Sequence, residues 1–311
     1  MTNPTSSIPA AAADADADSD ASPACVLVFN ANDPSGAGGI AADVTAIASV
    51  GAHALAVVTG AYARDTAEIF DHFAFDEETV AEQARAILED VPVQVIKVGF
   101  VGSPENLSTI AEIAADYADV PLVAYMPNLS WWDEGQIDLY LDAFRELLLP
   151  QTTVLVGNHS TLWRWLLPEW SNEKSPTARD IAKAAAEMGV PYTLVTGIPL
   201  PDQFLDNVLA SPQGAITGEK FERFEVSFVG AGDTLSAALA ALLASGAELH
   251  AAVGEALAFL DQALDAGFRP GMGNVIPDRF FWALPADEGE DGEDANEIED
   301  GNTPKSPRHV H

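Results

Sequence analysis

The glycine-rich segment 228–238 carries residue types that could support phosphoryl transfer. Gly230, Ala231 and Gly232 form a tight turn before an apolar, alanine-rich helix, and Asp233 stands at the start of that helix. Glycines allow a ligand to approach the backbone, and the first free N–H groups of a helix favour an anion such as phosphate. A carboxylate repels an anion but can take a proton from a hydroxyl that attacks a phosphoryl group. The segment therefore predicts a phosphate-binding turn with Asp233 as general base. The simpler alternative is an acid that complements the helix dipole.

A second glycine-rich loop lies near the N-terminus. Asp33 begins the sequence Asp-Pro-Ser-Gly-Ala-Gly-Gly, which follows a short apolar run and precedes a helical pattern. Turns that begin with Asp-Pro are common and need no ligand. Together with the turn at Gly230, however, this loop favours a kinase.

Apolar runs that alternate with helical patterns predict a parallel sheet covered on both faces. The predicted strands are 26–29, 54–59, 93–98, 122–125, 153–156 and 192–196. The predicted helices are 40–50, 77–89, 104–117, 138–148, 177–188, 233–244 and 248–266. Short strands with turn signals between 204 and 228 predict an antiparallel edge. We therefore expect a single three-layer α/β/α domain over residues 24–285, with a mostly parallel central sheet.

Ligands of such sheets bind beyond the carboxyl ends of the strands. The loops that follow predicted strands are 30–39, 60–66, 99–103, 126–133, 157–161 and 197–200. These loops would gather along one rim of the sheet. The turn at Gly230 must join that rim if Asp233 is catalytic.

The composition of the chain limits the kinds of partner that it is expected to bind. The 311 residues are 48% hydrophobic, which is enough for a sizeable core, and the net charge of −34 argues against nucleic acid and anionic membranes. Cys25 is the only cysteine, which excludes an intramolecular disulfide and fits a reducing cytoplasm. No signal peptide or apolar run of about 18 residues is apparent. The acidic tails, 1–23 and 286–311, are expected to be disordered.

Five motifs occur in a fixed order at 32–43, 97–100, 148–158, 230–242 and 271–273. The first reads N-D-P-S-G-A-G-G-I-A-A-D, the second K-V-G-F and the fourth G-A-G-D-T-L-S-A-A. This series resembles the hydroxymethylpyrimidine/phosphomethylpyrimidine kinases of thiamine biosynthesis. Their segments read T-D-P-S-G-G-A-G-I-Q-A-D, K-I-G-M and G-T-G-C-T-L-S-A-A. The resemblance extends over about residues 24–284 and implies a ribokinase-like fold.

The resemblance implies an ATP-dependent kinase that uses Mg²⁺ and acts on a hydroxymethyl group of a heteroaromatic ring. The first candidate substrate is the pyrimidine precursor of thiamine, and a homodimer is expected. Aspartate at the position of Asp233 is the base in most of the ribokinase superfamily, while many pyrimidine kinases carry cysteine there. The implied substrate-binding residues are Asp33, Arg64, Lys97 and Gly99. The implied nucleotide-binding residues are Asn158, Thr196 and Gly197.

The chain departs from the family pattern at four of its positions. Tyr125, Thr161 and Thr196 replace Asp, Glu and Lys that help handle metal and phosphates in the family. The metal ligands are therefore unknown. Arg64 stands where the family has a Gln that reads the pyrimidine. Because arginine only donates hydrogen bonds, Arg64 is better suited to a carboxylate or a phosphate.

Several alternatives stay open at this point. Pyridoxal or pyridoxine kinase is the alternative within the same chemistry, and the departures also allow a non-catalytic binding protein on the kinase scaffold. Lys97 could lay its stem along an apolar strand end, and Asn158 could be a simple helix cap. The pair Trp131-Trp132 is expected to serve as core or subunit contacts instead of a ring-stacking cage.

Overall fold

The computed structural model describes residues 22–283 of the chain. The two acidic tails expected from the sequence therefore lie outside the described residues, apart from residues 22 and 23. One compact unit ends at Phe281, and a second unit begins at Trp282. The expected domain boundary at residue 285 stays a prediction.

A single mixed sheet of nine strands forms the centre of the described chain. The strands are β1 (Cys25–Asn32), β2 (His53–Arg64), β3 (Ile69–Ala74), β4 (Val95–Val98), β5 (Leu122–Met126), β6 (Val154–Asn158), β7 (Tyr192–Pro199), β8 (Phe204–Ser211) and β9 (Gly214–Glu222). They lie in the order β3-β2-β1-β4-β5-β6-β7-β8-β9. The six central strands, β2, β1, β4, β5, β6 and β7, pair in parallel with their neighbours. The three outer strands, β3, β8 and β9, pair antiparallel.

Eight α-helices connect and cover the strands in the described part of the chain. They are α1 (Gly39–Ser49), α2 (Glu77–Leu88), α3 (Pro104–Asp116), α4 (Glu134–Ala143), α5 (His159–Leu166), α6 (Ala178–Ala186), α7 (Ala231–Ala244) and α8 (Leu249–Asp265). Asp76, Ser103 and Thr177 each accept a hydrogen bond from a first-turn N–H, which sets where α2, α3 and α6 begin.

The side chains of β1 point alternately to the two faces of the sheet, and this explains the three layers of the fold. Leu27 and Phe29 pack into one apolar core, whereas Val26 and Val28 pack into the other. Successive side chains of a strand point to opposite faces, so a strand that is apolar at every position must be covered on both faces. The first core is completed by residues of α2 to α6, and the second by residues of α1, α7 and α8. The predicted three-layer fold is confirmed.

The main difference from the predicted elements is β3. This strand pairs with the end of β2 at the edge of the sheet, and Phe70 and Phe73 on it are exposed. Because β3 has no buried apolar run, its sequence lacks the signal that identified the other strands. In addition, α4 begins at Glu134, before the predicted start at residue 138, because Asp133 caps it. A π-helical turn, Phe144–Leu148, follows α4.

Among residues 22–283, no helix is long and apolar enough to cross a membrane.

Candidate active site

The carboxyl ends of the parallel strands bring the predicted site residues to one rim. Arg64 ends β2, Asp33 follows β1, and Gly99 follows β4. At the next positions along the sheet stand Tyr125 on β5 and Asn158 at the end of β6. The sheet thus separates the predicted substrate-binding residues from the predicted nucleotide-binding residues, with β5 between them.

Asp33 is the centre of the N-terminal loop. Its Oδ1 accepts hydrogen bonds from the Ser35 amide at 2.8 Å and the Ser35 hydroxyl at 2.6 Å, and its Oδ2 accepts the Gly38 amide at 2.9 Å. The Asp33 side chain is fully buried, and Arg64 Nη1 lies 3.2 Å from its Oδ2. The carboxylate therefore folds the loop onto itself and holds the guanidinium of Arg64.

Arg64 borders an open cleft at this end of the rim. Its Nε donates to the carbonyl of Asp65 at 3.0 Å, and its side chain is 8% exposed. The cleft has a volume of about 460 Å³ and is lined by Pro34, Ser35, Arg64, Asp65, Thr66, Ala67, Gly271, Met272 and Gly273. A fixed guanidinium at the wall of a cleft is suited to an anionic group on a ligand.

The turn before α7 brings Asp233 to the same rim. Gly230 has a φ of 85°, in the left-handed region, and a Cβ at this position would overlap the carbonyl oxygen of Ala37. Only glycine combines that conformation with so close an approach to the N-terminal loop. Gly38 also lies against the Asp233 carboxylate. The two glycine-rich loops, which are nearly 200 residues apart in sequence, are therefore packed together.

A network of donors fixes the carboxylate of Asp233. Its Oδ1 accepts hydrogen bonds from Asn30 Nδ2 at 2.9 Å and from Lys97 Nζ at 3.2 Å. Its Oδ2 accepts the amide of Gly39 at 3.2 Å. The Asp233 side chain is 16% exposed, whereas the side chain of Lys97 is fully buried. Asp233 is thus held rigidly and can still be reached from the rim.

Asp43 completes this buried network from helix α1. Lys97 Nζ lies 2.7 Å from its Oδ1, and Asn30 Nδ2 donates to its Oδ2 at 2.8 Å. Burial raises the pKa of Asp43 to about 6, because desolvation outweighs the attraction of Lys97. Burial alone would lower the pKa of Lys97, but its two carboxylate partners raise it overall, so Lys97 stays an ammonium.

Lys97 and Gly99, which the family resemblance implies as substrate-binding residues, contact other protein groups at this rim. The Lys97 ammonium contacts Asp43 and Asp233 and has no exposed surface, so it does not line the cleft. Gly99 lies against the side-chain amide of Asn30, and a Cβ there would overlap that amide. Glycine at this position makes room for Asn30.

The predicted nucleotide-binding residues form a separate group at β6 and β7. Asn158 pairs in register with Thr196, and the Asn158 amide lies directly against Gly197. Asn158 also caps α5, because its Oδ1 accepts the Ser160 amide at 3.0 Å. The capping role is confirmed, and it leaves the amide nitrogen directed towards Gly197.

Tyr125 lies between these two groups. The ring and hydroxyl of Tyr125 lie so close to Gly232 that a Cβ atom at position 232 would overlap them. Lys97 Nζ is 5.8 Å from the centre of the ring. The residue at the family's acidic position therefore contacts the glycine-rich segment at Gly232 directly.

The sequence model of the phosphomethylpyrimidine kinase family matches residues 33–278. The chain belongs to the phosphomethylpyrimidine kinase family. A hydroxymethylpyrimidine/phosphomethylpyrimidine kinase from Streptomyces coelicolor is 27% identical over 267 residues, which cover 84% of this chain and 96% of that relative. The motif resemblance is thus confirmed, and the protein is an ATP-dependent small-molecule kinase.

Two solved structures show that this kinase shares its fold with vitamin kinases. An ADP complex of Bacillus subtilis pyridoxal kinase matches with a TM-score of 0.75 and 24% identity, covering 85% of this chain and 100% of that chain. A phosphomethylpyrimidine kinase from Clostridium difficile matches with a TM-score of 0.64 and 21% identity, covering 77% and 99%. The predicted ribokinase-like fold agrees with both.

Three residues of this kinase site were missed in the sequence: Asn30, Asp43 and Arg279. Arg279 is 6% exposed, and its Nε donates to Thr234 Oγ1 at 2.8 Å. Its terminal nitrogens donate to the carbonyls of Gly36 and Ala37, so that it joins both glycine-rich loops. Charged residues within apolar segments, such as Asp43 in α1 and Lys97 in β4, are the signal that could have revealed a buried network.

The carboxylates of this kinase do not fit a magnesium ion held directly by the protein. Asp33, Asp43 and Asp233 are each engaged by two or more donors, as described above. Residues 22–283 contain no group of three or more His, Cys, Asp or Glu side chains that could hold a metal ion.

The aromatic residues beside Arg64 form a packed cluster. Tyr62 stacks on Phe100 with ring centres 5.6 Å apart, and Trp131 stacks on Trp132 at 5.7 Å. Both tryptophans are partly buried and pack against the core, and a subunit contact stays a prediction. His72 lies within this cluster, 4.9 Å from Phe100.

Proposed function

We propose that this kinase transfers the γ-phosphoryl group of ATP to hydroxymethylpyrimidine, to its monophosphate, or to both, in thiamine biosynthesis. The observation that carries the proposal is the carboxylate of Asp233, which stands at the opening of an anion-binding turn and is accessible from the rim. The family match supports the class of substrate.

In the proposed reaction, Asp233 takes the proton of the substrate hydroxymethyl group. The hydroxyl oxygen forms a bond to the γ-phosphorus as the bond to the β–γ bridging oxygen breaks, and ADP leaves. The N–H groups of the turn at Gly230–Asp233 stabilise the charge on the transferred group. Lys97 and Asn30 hold the Asp233 carboxylate, so that little reorganisation is needed at the moment of reaction.

The substrate is proposed to lie at the Arg64 side of the rim and the nucleotide at the Asn158 side. Arg64 is held by Asp33 at the wall of the open cleft, where its guanidinium could bind a phosphate on the substrate. Asn158, Thr196 and Gly197 are proposed to contact the nucleotide. Mg²⁺ carried by the ATP phosphates, a homodimer and a cytoplasmic location stay predictions.

Pyridoxal or pyridoxine is the second candidate substrate. The observation in its favour is Asp233 itself, because many pyrimidine kinases carry cysteine at this position. The same carboxylate would deprotonate the hydroxymethyl group of a pyridine as readily as that of a pyrimidine.

The test is to incubate the protein with Mg-ATP and a mixture of hydroxymethylpyrimidine, its monophosphate, pyridoxal and pyridoxine. Mass spectrometry then identifies the products. We expect a pyrimidine monophosphate or diphosphate. If phosphorylated pyridoxal or pyridoxine were the only product, the substrate would be a vitamin B6 compound and not a pyrimidine. Ligand binding without any phosphorylated product would favour a non-catalytic binding protein.

A further inference from the structure

Tyr125 places a phenol hydroxyl beside the turn that would bind the transferred phosphoryl group. The hydroxyl and ring lie against Gly232, and any side chain larger than hydrogen at position 232 would overlap them. Glycine at position 232 therefore makes room for Tyr125. The centre of the same ring lies 5.8 Å from Lys97 Nζ, so the ring also borders the buried ion network.

The Tyr125 hydroxyl is available as a hydrogen-bond donor. No hydrogen bond within residues 22–283 involves this hydroxyl, and the residue is partly buried. Burial raises the pKa of Tyr125 above its ordinary value of about 10, and the negative charges of Asp233 and Asp43 raise it further. The phenol therefore stays protonated over the whole physiological range and can donate its O–H to an anion.

The position of Tyr125 in the sheet also suits contact with the transferred group. Strand β5 lies between the strands that carry Asp33 and Arg64 on one side and those that carry Asn158 and Thr196 on the other. A phosphoryl group that passes from nucleotide to alcohol must cross this middle position. Asp233 reaches the same position from α7.

The groups around the turn at Gly230–Asp233 explain why a hydroxyl would be useful at position 125. The carboxylates near the turn are occupied by protein donors, and no metal-binding group occurs among the described residues. N–H and O–H donors that are already in place at the turn would stabilise charge that develops on the transferred phosphoryl oxygens. The Tyr125 hydroxyl lies against Gly232, whereas the other hydroxyl at this residue, that of Ser236, already donates to the Gly232 carbonyl at 2.8 Å.

We propose that Tyr125 is a catalytic residue whose hydroxyl donates a hydrogen bond to the phosphoryl group during its transfer, beside the N–H groups of Gly232 and Asp233. Tyr125 keeps its proton throughout, while Asp233 takes the proton of the alcohol. This inference rests on the proposed phosphoryl transfer but not on the identity of the alcohol.

The test replaces Tyr125 with phenylalanine, which removes one oxygen atom and keeps the ring against Gly232. The matched control is Tyr117→Phe, because Tyr117 is an exposed residue at the end of α3. We expect Tyr125→Phe to lower kcat by about 10- to 100-fold with little change in the KM of the alcohol. The control should keep wild-type kinetics, and both variants should keep the wild-type unfolding temperature.

A binding measurement provides a second readout that does not need an active alcohol. Calorimetry compares ADP alone with ADP plus aluminium fluoride, which imitates the transferred phosphoryl group. We expect Tyr125→Phe to weaken binding of the aluminium fluoride complex about tenfold and to leave ADP binding unchanged.

Two results would overturn the role of Tyr125. One is wild-type kcat together with wild-type affinity for ADP plus aluminium fluoride in the Phe variant. The other is an equal loss of affinity for ADP alone, which would indicate a packing role. If the wild-type protein phosphorylates none of the alcohols, the proposed function fails, and the binding comparison still decides whether Tyr125 contacts the phosphoryl group.

Discussion

At the scale of single residues, the site depends on one buried ammonium that serves two carboxylates. Lys97 is fully buried, pairs closely with Asp43 at 2.7 Å and reaches Asp233 at 3.2 Å. A buried charge is tolerated only when it is paired and hydrogen-bonded, so each member of this network requires the others. The orientation of Asp233 is thus a consequence of a structural ion pair beneath it.

Replacing Lys97 with methionine should destabilise the protein and misplace Asp233. Asp43 would be left buried without a cation, which typically costs about 3–5 kcal/mol. The double variant Lys97→Met/Asp43→Asn should recover part of this loss, because no unpaired charge stays in the core. Denaturant unfolding measures both variants.

Phosphoryl transfer should stay low in the double variant, since Asp233 still lacks the ammonium that holds it. Wild-type stability in Lys97→Met, or full activity in the double variant, would show that the network does not position Asp233.

At the scale of elements, two loops from opposite ends of the chain form one site because glycine and Arg279 join them. Gly230 approaches the Ala37 carbonyl in a left-handed conformation, and Arg279 donates to carbonyls of the first loop and to Thr234 of α7. The parallel strands supply the common rim, and these contacts bring α7 to it.

Gly230→Ala should separate the two loops. The left-handed conformation costs a non-glycine residue about 1–2 kcal/mol, and overlap with Ala37 adds to this. We expect a loss of about 2–4 kcal/mol in unfolding free energy and a fall of about 100-fold in kcat/KM, since small misplacements of catalytic groups are costly. Chemical denaturation and steady-state kinetics measure the two effects.

Gly254→Ala in α8 is the matched control, because a Cβ there has open space. This variant should be as stable as the wild type, or more stable by up to about 1 kcal/mol, because alanine favours a helix. Equal behaviour of the two variants would contradict the close approach at Gly230.

The elements of the fold were largely predictable from the sequence, but the network beneath the site was not. Near-continuous apolar runs such as 26–29 and 122–125 identified the parallel strands, and their loops located the rim. The edge strand β3 was missed because its phenylalanines are exposed. The pairing of Lys97 with Asp43 could not be predicted, because it joins β4 to α1 across 54 residues and depends on how the two pack.

At the scale of the whole molecule, stability depends on pH through groups buried in the sheet layers. His72 lies in the aromatic cluster, and burial lowers its pKa to about 4, although Asp71 opposes the shift. Between pH about 6.5 and 4, the unfolded chain therefore binds a proton at this position that the folded chain does not bind. This histidine contributes stability that is lost as the pH falls.

The variant His72→Phe should lose less stability than the wild type when the pH is lowered from 7 to 5. Phenylalanine keeps a ring in the cluster and cannot be protonated. The raised pKa of Asp43 changes the stability in the opposite direction over this pH range. Because Asp43 is present in both proteins, the difference in stability between the variant and the wild type reports on His72. The measurement is thermal unfolding at both pH values, with the exposed His53→Phe as control. An unchanged pH dependence in His72→Phe would contradict the assignment.

The most direct test of the account compares single-turnover phosphoryl transfer by the wild type and by Asp233→Asn. The alcohol is the substrate identified by mass spectrometry, and nucleotide affinity is measured in parallel. Because asparagine keeps the shape of the side chain but cannot accept the hydroxyl proton, we predict a loss of at least about 100-fold in rate, with nearly unchanged nucleotide affinity. Wild-type rates in Asp233→Asn would contradict the assignment of Asp233 as the base.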